Sequence, residues 1–135
     1  TDIDPNMIAF GQSGIYLESA LDSVPGAMRS RWFVSESNDH MRVGDDLRSL
    51  VSFRRLNLIG TWPMNGHFQA IFCRNVVIYF NHETQAQIWD RMAPLLEPGG
   101  ALYIGHSERV SGPAERILKS DGITTYRTPL KQAVK

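Results

Sequence analysis

Residues 71–80 read Ile-Phe-Cys-Arg-Asn-Val-Val-Ile-Tyr-Phe. An apolar run breaks at Cys73-Arg74-Asn75, resumes at Val76 and stops before Asn81, a residue type that caps helix N-termini. Buried parallel strands read as near-continuous apolar runs, whereas half-exposed strands alternate. A central strand from Phe68 to Cys73 is therefore expected. In open α/β sheets, ligands bind beyond the carboxyl ends of such strands. The cation, carboxamide and phenol of Arg74, Asn75 and Tyr79 then make a candidate site. The competing reading is a strand end with solvated polar groups and Tyr79 in the core.

Composition narrows the class. The length of 135 residues fits one domain of ordinary size, and 42% apolar with 21% charged residues is typical of globular chains. Fourteen basic and fourteen acidic residues cancel, so no bulk field favours nucleic acid or an anionic membrane surface. The single cysteine, Cys73, excludes an internal disulfide framework and a multi-cysteine metal site. His40, His67, His82 and His106 show no zinc-ligand spacing, so no metal is expected. No run approaches the roughly 18 apolar residues that span a bilayer. The expected compartment is the cytoplasm.

Working outward, Thr1 to Asp4 reads as the end of a strand. Asp4 is a good N-cap and Pro5 suits the first helical position, so a short helix is predicted through Met7, Ile8 and Phe10, ending near Gly11 and Gly14. Ile15-Tyr16 reads as a strand, and residues 21–33 as a weaker helix burying Met28, Trp32 and Phe33. A polar turn is expected over 35–39, a short edge strand over 41–43 and a longer strand over 50–56. After the Phe68–Cys73 strand, Asn81 caps a helix whose apolar face is Ile88, Met92, Leu95 and Leu96, stopped by Pro98-Gly99-Gly100. Residues 101–105 form a second buried strand, and Asp121-Gly122 marks a hairpin. The tail from Pro129 is expected to be loose. The whole is an α/β arrangement, parallel in its middle with an antiparallel edge.

These residues resemble the chemoreceptor glutamate O-methyltransferases, the CheR family. The resemblance runs in order along nearly the whole chain: T-D-I-D at the start, S-G-I-Y, Arg31-Trp32-Phe33, V-x-F-x-x-x-N-L over 51–58, F-x-A-I-F-C-R-N-V-x-I-Y-F, P-L-L-x-P-G-G and G-H-S-E. It implies a class I methyltransferase (Rossmann-like) sheet that uses S-adenosyl-L-methionine and releases S-adenosyl-L-homocysteine. In that fold, residues 1–13 and 51–135 make a partial methyltransferase domain, and 14–50 a small α+β insertion. The family's first strand and its Gly-rich turn have no counterpart here, so the sheet is expected to be incomplete at its N-terminal strand. The chain reads as part of a larger enzyme whose N-terminal region completes the site.

The resemblance also implies site residues. Asp2 corresponds to the carboxylate that holds the cofactor ribose, Asn57 and Leu58 to residues at its adenine, and Cys73 and Arg74 to a cofactor-contacting pair. Tyr79 corresponds to the catalytic tyrosine beside the transferred methyl and the incoming carboxylate. The implied function is methylation of glutamate side chains on methyl-accepting chemotaxis receptors. A class I methyltransferase with another acceptor and a non-catalytic receptor-binding module are the alternatives. His106, Ser107 and Glu108 share their composition with a hydrolase triad, but consecutive side chains point apart. The segment between Phe33 and Arg42 lacks the Gly-x-Gly insertion found in relatives that dock on a receptor-tail pentapeptide.

Overall fold

The computed structural model describes residues 1–130. The chain divides into two compact units, Thr1–Gly60 and Thr61–Lys135.

In the first unit, helix α1 spans Pro5–Ser13, with Pro5 at its first position. The Asp4 carboxylate accepts from the Asn6 N–H at 2.8 Å, and Gly14, at φ 64°, ends the helix in the left-handed conformation that glycine tolerates best. Strands β1 (Ile15–Leu17), β2 (Phe33–Ser37) and β3 (His40–Val43) form an antiparallel sheet in the order β1-β3-β2.

Several expectations for this region need correction. Residues 41–43 lie in the central strand, because β3 pairs with β1 through Ile15↔Arg42 and with β2 through Val34↔Arg42. Most of the expected polar turn over 35–39 is strand β2, since Ser35 and Ser37 are in register with Met41 and His40. The helix expected over 21–33 splits into a one-turn 3-10 helix, Glu18–Leu21, and α2, Gly26–Trp32. Pro25 explains the break, as a proline drives the residue before it out of helical geometry. Met28 is 56% exposed rather than buried.

A short helix, α3, follows at Asp45–Arg48. The strand expected over 50–56 is reduced to one parallel bridge, Asp2↔Arg55. The Asp2 N–H donates to Arg54 O at 3.4 Å and the Leu56 N–H to Asp2 O at 2.8 Å.

The second unit contains the principal core. Strand β4 (Phe68–Cys73) runs parallel to β5 (Leu96–Ile104), which pairs antiparallel with β7 (Thr125–Arg127), and β7 pairs with β6 (Lys119–Ser120). The order is β4-β5-β7-β6, so the parallel pair with an antiparallel edge matches the expected α/β class. Strand β4, expected to be central, is an outer strand among the described residues. Phe72 is accordingly 71% exposed on it, although its ring stacks on Tyr103 with centroids 4.5 Å apart.

Helix α4 (His82–Met92) connects β4 to β5. Asn81 caps it by accepting from the Thr84 N–H at 2.9 Å, and Glu83 lies in the first turn, where the helix dipole favours an anion. Ile88, Trp89 and Met92 form its buried face at spacings that share one side of a helix, and Trp89 was not anticipated there. The helix ends at Met92, earlier than the glycine pair suggested. A one-turn helix over Ala93–Leu95, with Pro94 inside it, leads into β5. Pro98, Gly99 and Gly100 are part of β5, and Thr128 N–H donates to Gly100 O at 3.1 Å. Trp89, Ile88, Leu102, Ile104 and Val77 are the largest fully buried side chains.

The Asp121-Gly122 turn joins β6 to β7 as read from the sequence, with Gly122 at φ 148°. Pro129, at the start of the tail, accepts from the Gly99 N–H at 3.2 Å; the tail after Leu130 lies outside the described residues. Among the described residues, no helix is long and apolar enough to cross a membrane.

Candidate functional site

In the first unit, Asp2 and Asn57 stand at the ends of two short parallel segments joined at Arg55. Asp2 Oδ1 accepts from the Asp4 N–H at 2.9 Å, which orients a carboxylate that stays exposed. Asn57 Oδ1 accepts from the Ile59 N–H at 3.0 Å, an Asx turn that engages the carbonyl of an exposed carboxamide. Leu58 follows, half-buried. Their shared position at the carboxyl ends of parallel segments is where such sheets bind ligands.

In the second unit, β4 delivers Cys73 to the same kind of edge, with Cys73 in register with Ile104 of β5. Cys73 is buried, and first burial, then the Glu108 carboxylate, push its thiol up to about 12. A thiol so far from ionising is a packed hydrophobe and not a nucleophile. Arg74 is exposed beyond the strand end. Asn75 adopts φ 58°, a left-handed conformation that asparagine tolerates better than most residues. The chain then makes a one-turn 3-10 helix over Val77–Tyr79, in which Val77 is fully buried and Tyr79 is 81% exposed. Tyr79 is therefore a surface phenol, not the core residue of the competing reading.

The residue that organises this edge is Glu108, which sequence reasoning set aside with His106 and Ser107. It is buried, and its carboxylate lies between the turns that follow β4 and β5. Oε1 accepts from the N–H groups of Val76 at 2.9 Å, Val77 at 2.7 Å and Ile78 at 3.3 Å. Oε2 accepts from Asn75 N–H at 3.1 Å and Gly105 N–H at 2.5 Å. Burial acts to raise the carboxyl's pKa, but the bonds from Gly105, Val77, Val76 and Asn75 outweigh it and hold the group below the ordinary carboxylate range. Gly105 makes the approach possible. A Cβ there would lie 2.4 Å from Asn75 Oδ1 and 2.9 Å from Glu108 Oε2. The available signal was the spacing Gly-x-x-Glu directly after an apolar strand.

The sequence's position among known proteins agrees with this geometry. Residues 1–126 match the family described as CheR methyltransferase, SAM binding domain. The chain is 50% identical over 134 residues to a probable chemotaxis protein methyltransferase of Rhizobium etli, covering 97% of this chain and 50% of that protein. It is 37% identical over 130 residues to chemotaxis protein methyltransferase 2 of Pseudomonas aeruginosa, covering 93% and 46% of the two chains. The chemotaxis protein methyltransferase of Escherichia coli is 39% identical over 130 residues, with coverages of 93% and 45%. The chain spans about half the length of these curated relatives. Its parallel strand pair, its loaded carboxyl edge and a match over nearly its whole length agree: the chain belongs to the CheR methyltransferase family, in the domain that binds S-adenosylmethionine.

Proposed function

We propose that this chain serves in the cytoplasmic methylation of glutamate side chains on methyl-accepting chemotaxis receptors, giving glutamate methyl esters. The match of residues 1–126 to a family of S-adenosylmethionine-binding methyltransferases carries the reading, and the relatives' chemotaxis names support a role in chemotaxis, within which receptor glutamates are the acceptor proposed here. Residues 1–13 and 51–135 are assigned to the methyltransferase domain, and 14–50 to a small insertion that contains the β1-β3-β2 sheet.

The residues present fit the cofactor by their chemistry. Asp2 offers an exposed carboxylate for the two ribose hydroxyls. With its carbonyl engaged, Asn57 presents carboxamide donors to a purine ring nitrogen, and Leu58 adds apolar packing. Cys73 and Arg74 line the carboxyl end of β4. A neutral, buried thiol is an apt neighbour for an alkylating group, because only the thiolate would compete for a methyl. When bound, S-adenosylmethionine supplies an electrophilic methyl on a sulfonium leaving group.

The acceptor needs little activation. A glutamate side chain, with a reference pKa of about 4.3, is already a carboxylate at neutral pH, so no general base is required. What remains is to hold that carboxylate in line at roughly 3–3.5 Å. Tyr79 is given this work: its exposed phenol donates to one carboxylate oxygen and aims the other. The test is incubation of the intact protein with methyl-labelled cofactor and receptor-containing membranes. Label on the receptor is expected, and label confined to small molecules or to other proteins overturns the acceptor assignment.

A further inference from the structure

The backbone around Tyr79 is held by one buried side chain to which the reaction, as derived above, gives no part. Strand β4 is fixed by its ladder with β5 as far as Cys73↔Ile104, so Cys73 is placed by the sheet itself. Beyond it the chain leaves the ladder, and four successive N–H groups, from Asn75 to Ile78, turn toward the Glu108 carboxylate. The fifth donor, Gly105, belongs to the turn after β5. Glu108 thus ties the segment that ends in Tyr79 to the end of the neighbouring strand. On the other side, Gln85 Nε2 donates to Phe80 O at 2.8 Å, and Phe80 N–H donates to Val77 O at 3.0 Å. Tyr79 is exposed in its side chain and anchored through the backbone on either side of it.

Resting on the role given to Tyr79, we propose that Glu108 is a positioning residue for methyl transfer: its carboxylate, gathering the N–H groups of residues 75–78 and Gly105, sets where the Tyr79 phenol stands. Charge matters here as much as shape. An ionised carboxylate only accepts, so both oxygens can serve converging donors, whereas a carboxamide of the same size turns N–H groups toward N–H groups. Charge-assisted bonds to backbone N–H are also the stronger kind. Because β4 pairing, not Glu108, fixes Cys73, loss of the carboxylate disturbs the acceptor side more than the cofactor side.

The test uses the intact enzyme and a double-mutant cycle. Glu108→Gln should lower turnover about 10-fold or more, as small misplacements of a reacting geometry do. Affinity for S-adenosylhomocysteine by calorimetry should stay within about threefold, and amide exchange at Val76 and Val77 should accelerate more than about tenfold. If Glu108 acts through Tyr79, adding Glu108→Gln to Tyr79→Phe lowers turnover by no more than about threefold further. Losses that multiply overturn the proposal, as does wild-type turnover in Glu108→Gln. Should that variant not fold, Glu108→Asp keeps the charge and draws it back by one methylene. Reduced turnover at unchanged cofactor affinity then supports the proposal, and wild-type turnover or a parallel loss of affinity overturns it. Wild-type turnover in Tyr79→Phe overturns the reading of Tyr79 and this proposal with it. An impaired Tyr79→Phe beside multiplying losses overturns the proposal alone.

Discussion

Tyr79 is exposed on a one-turn helix whose neighbour Val77 is fully buried, so a phenol is presented on an anchored backbone. Tyr79→Phe in the intact enzyme is predicted to lower turnover about 10- to 100-fold, less than the roughly 100- to 1,000-fold lost with a buried oxyanion donor. Cofactor affinity should not change; a turnover equal to wild type would remove Tyr79 from the mechanism. Asp2→Ala should weaken S-adenosylmethionine and S-adenosylhomocysteine alike, because the two share a ribose and the lost bonds are charge-assisted, worth roughly 1.5–3 kcal/mol each. Calorimetry showing both affinities intact would leave Asp2 as a turn residue that accepts from Asp4 N–H. Asp2 and Tyr79 are singled out in the sequence by the family motifs that contain them. Glu108 stands in a family motif as well, and Gly-x-x-Glu after an apolar strand marks it, but its role depends on backbone N–H groups from residues 75–78 that converge on it only in space.

Between elements, the turn after β4 approaches the turn after β5 through the Glu108 carboxylate. Gly105 allows it, because a Cβ would press on Asn75 Oδ1, Asn75 N and Glu108 Oε2. Gly105→Ala should destabilise the protein by about 1–3 kcal/mol, the range typical of overpacking. Gly66→Ala, where a Cβ meets nothing within 4 Å, is the control. Equal denaturation midpoints for the two variants would contradict the packing described. In the small antiparallel sheet, β2 and β1 are the open edges and the β2–β3 connection is a tight turn without a Gly-x-Gly insertion. We expect no strand addition by the receptor-tail pentapeptide, hence no saturable heat up to about 1 mM, which corresponds to only about −4 kcal/mol. Micromolar binding mapped to β2 would refute this. Helix α4 was legible from its cap and apolar spacing, and the β6–β7 hairpin from Asp-Gly. The central position of β3 was not, because strand order is decided by long-range pairing that a period-two pattern does not encode; the outer position of β4 agrees with the incomplete sheet that the resemblance implied.

For the molecule as a whole, the response to acid carries a local linkage at Glu108. The Glu108 carboxyl is held below its ordinary range when folded, so the unfolded chain binds its proton more readily. Its contribution to stability is complete above the unfolded pKa and is lost as pH falls through the folded value. Between about pH 7 and about pH 3, wild-type melting temperature should therefore fall more steeply than that of Glu108→Gln, and parallel slopes would contradict this. Composition limited the class of molecule, and ordered motifs fixed the family; the acceptor's chemistry lies outside both. The most direct test of the central claim is peptide mapping of receptor methylated by the intact enzyme. The account predicts base-labile methyl esters on glutamate side chains, abolished when those glutamates become alanine. Base-stable methylation, or methyl groups on any other residue type, would contradict it.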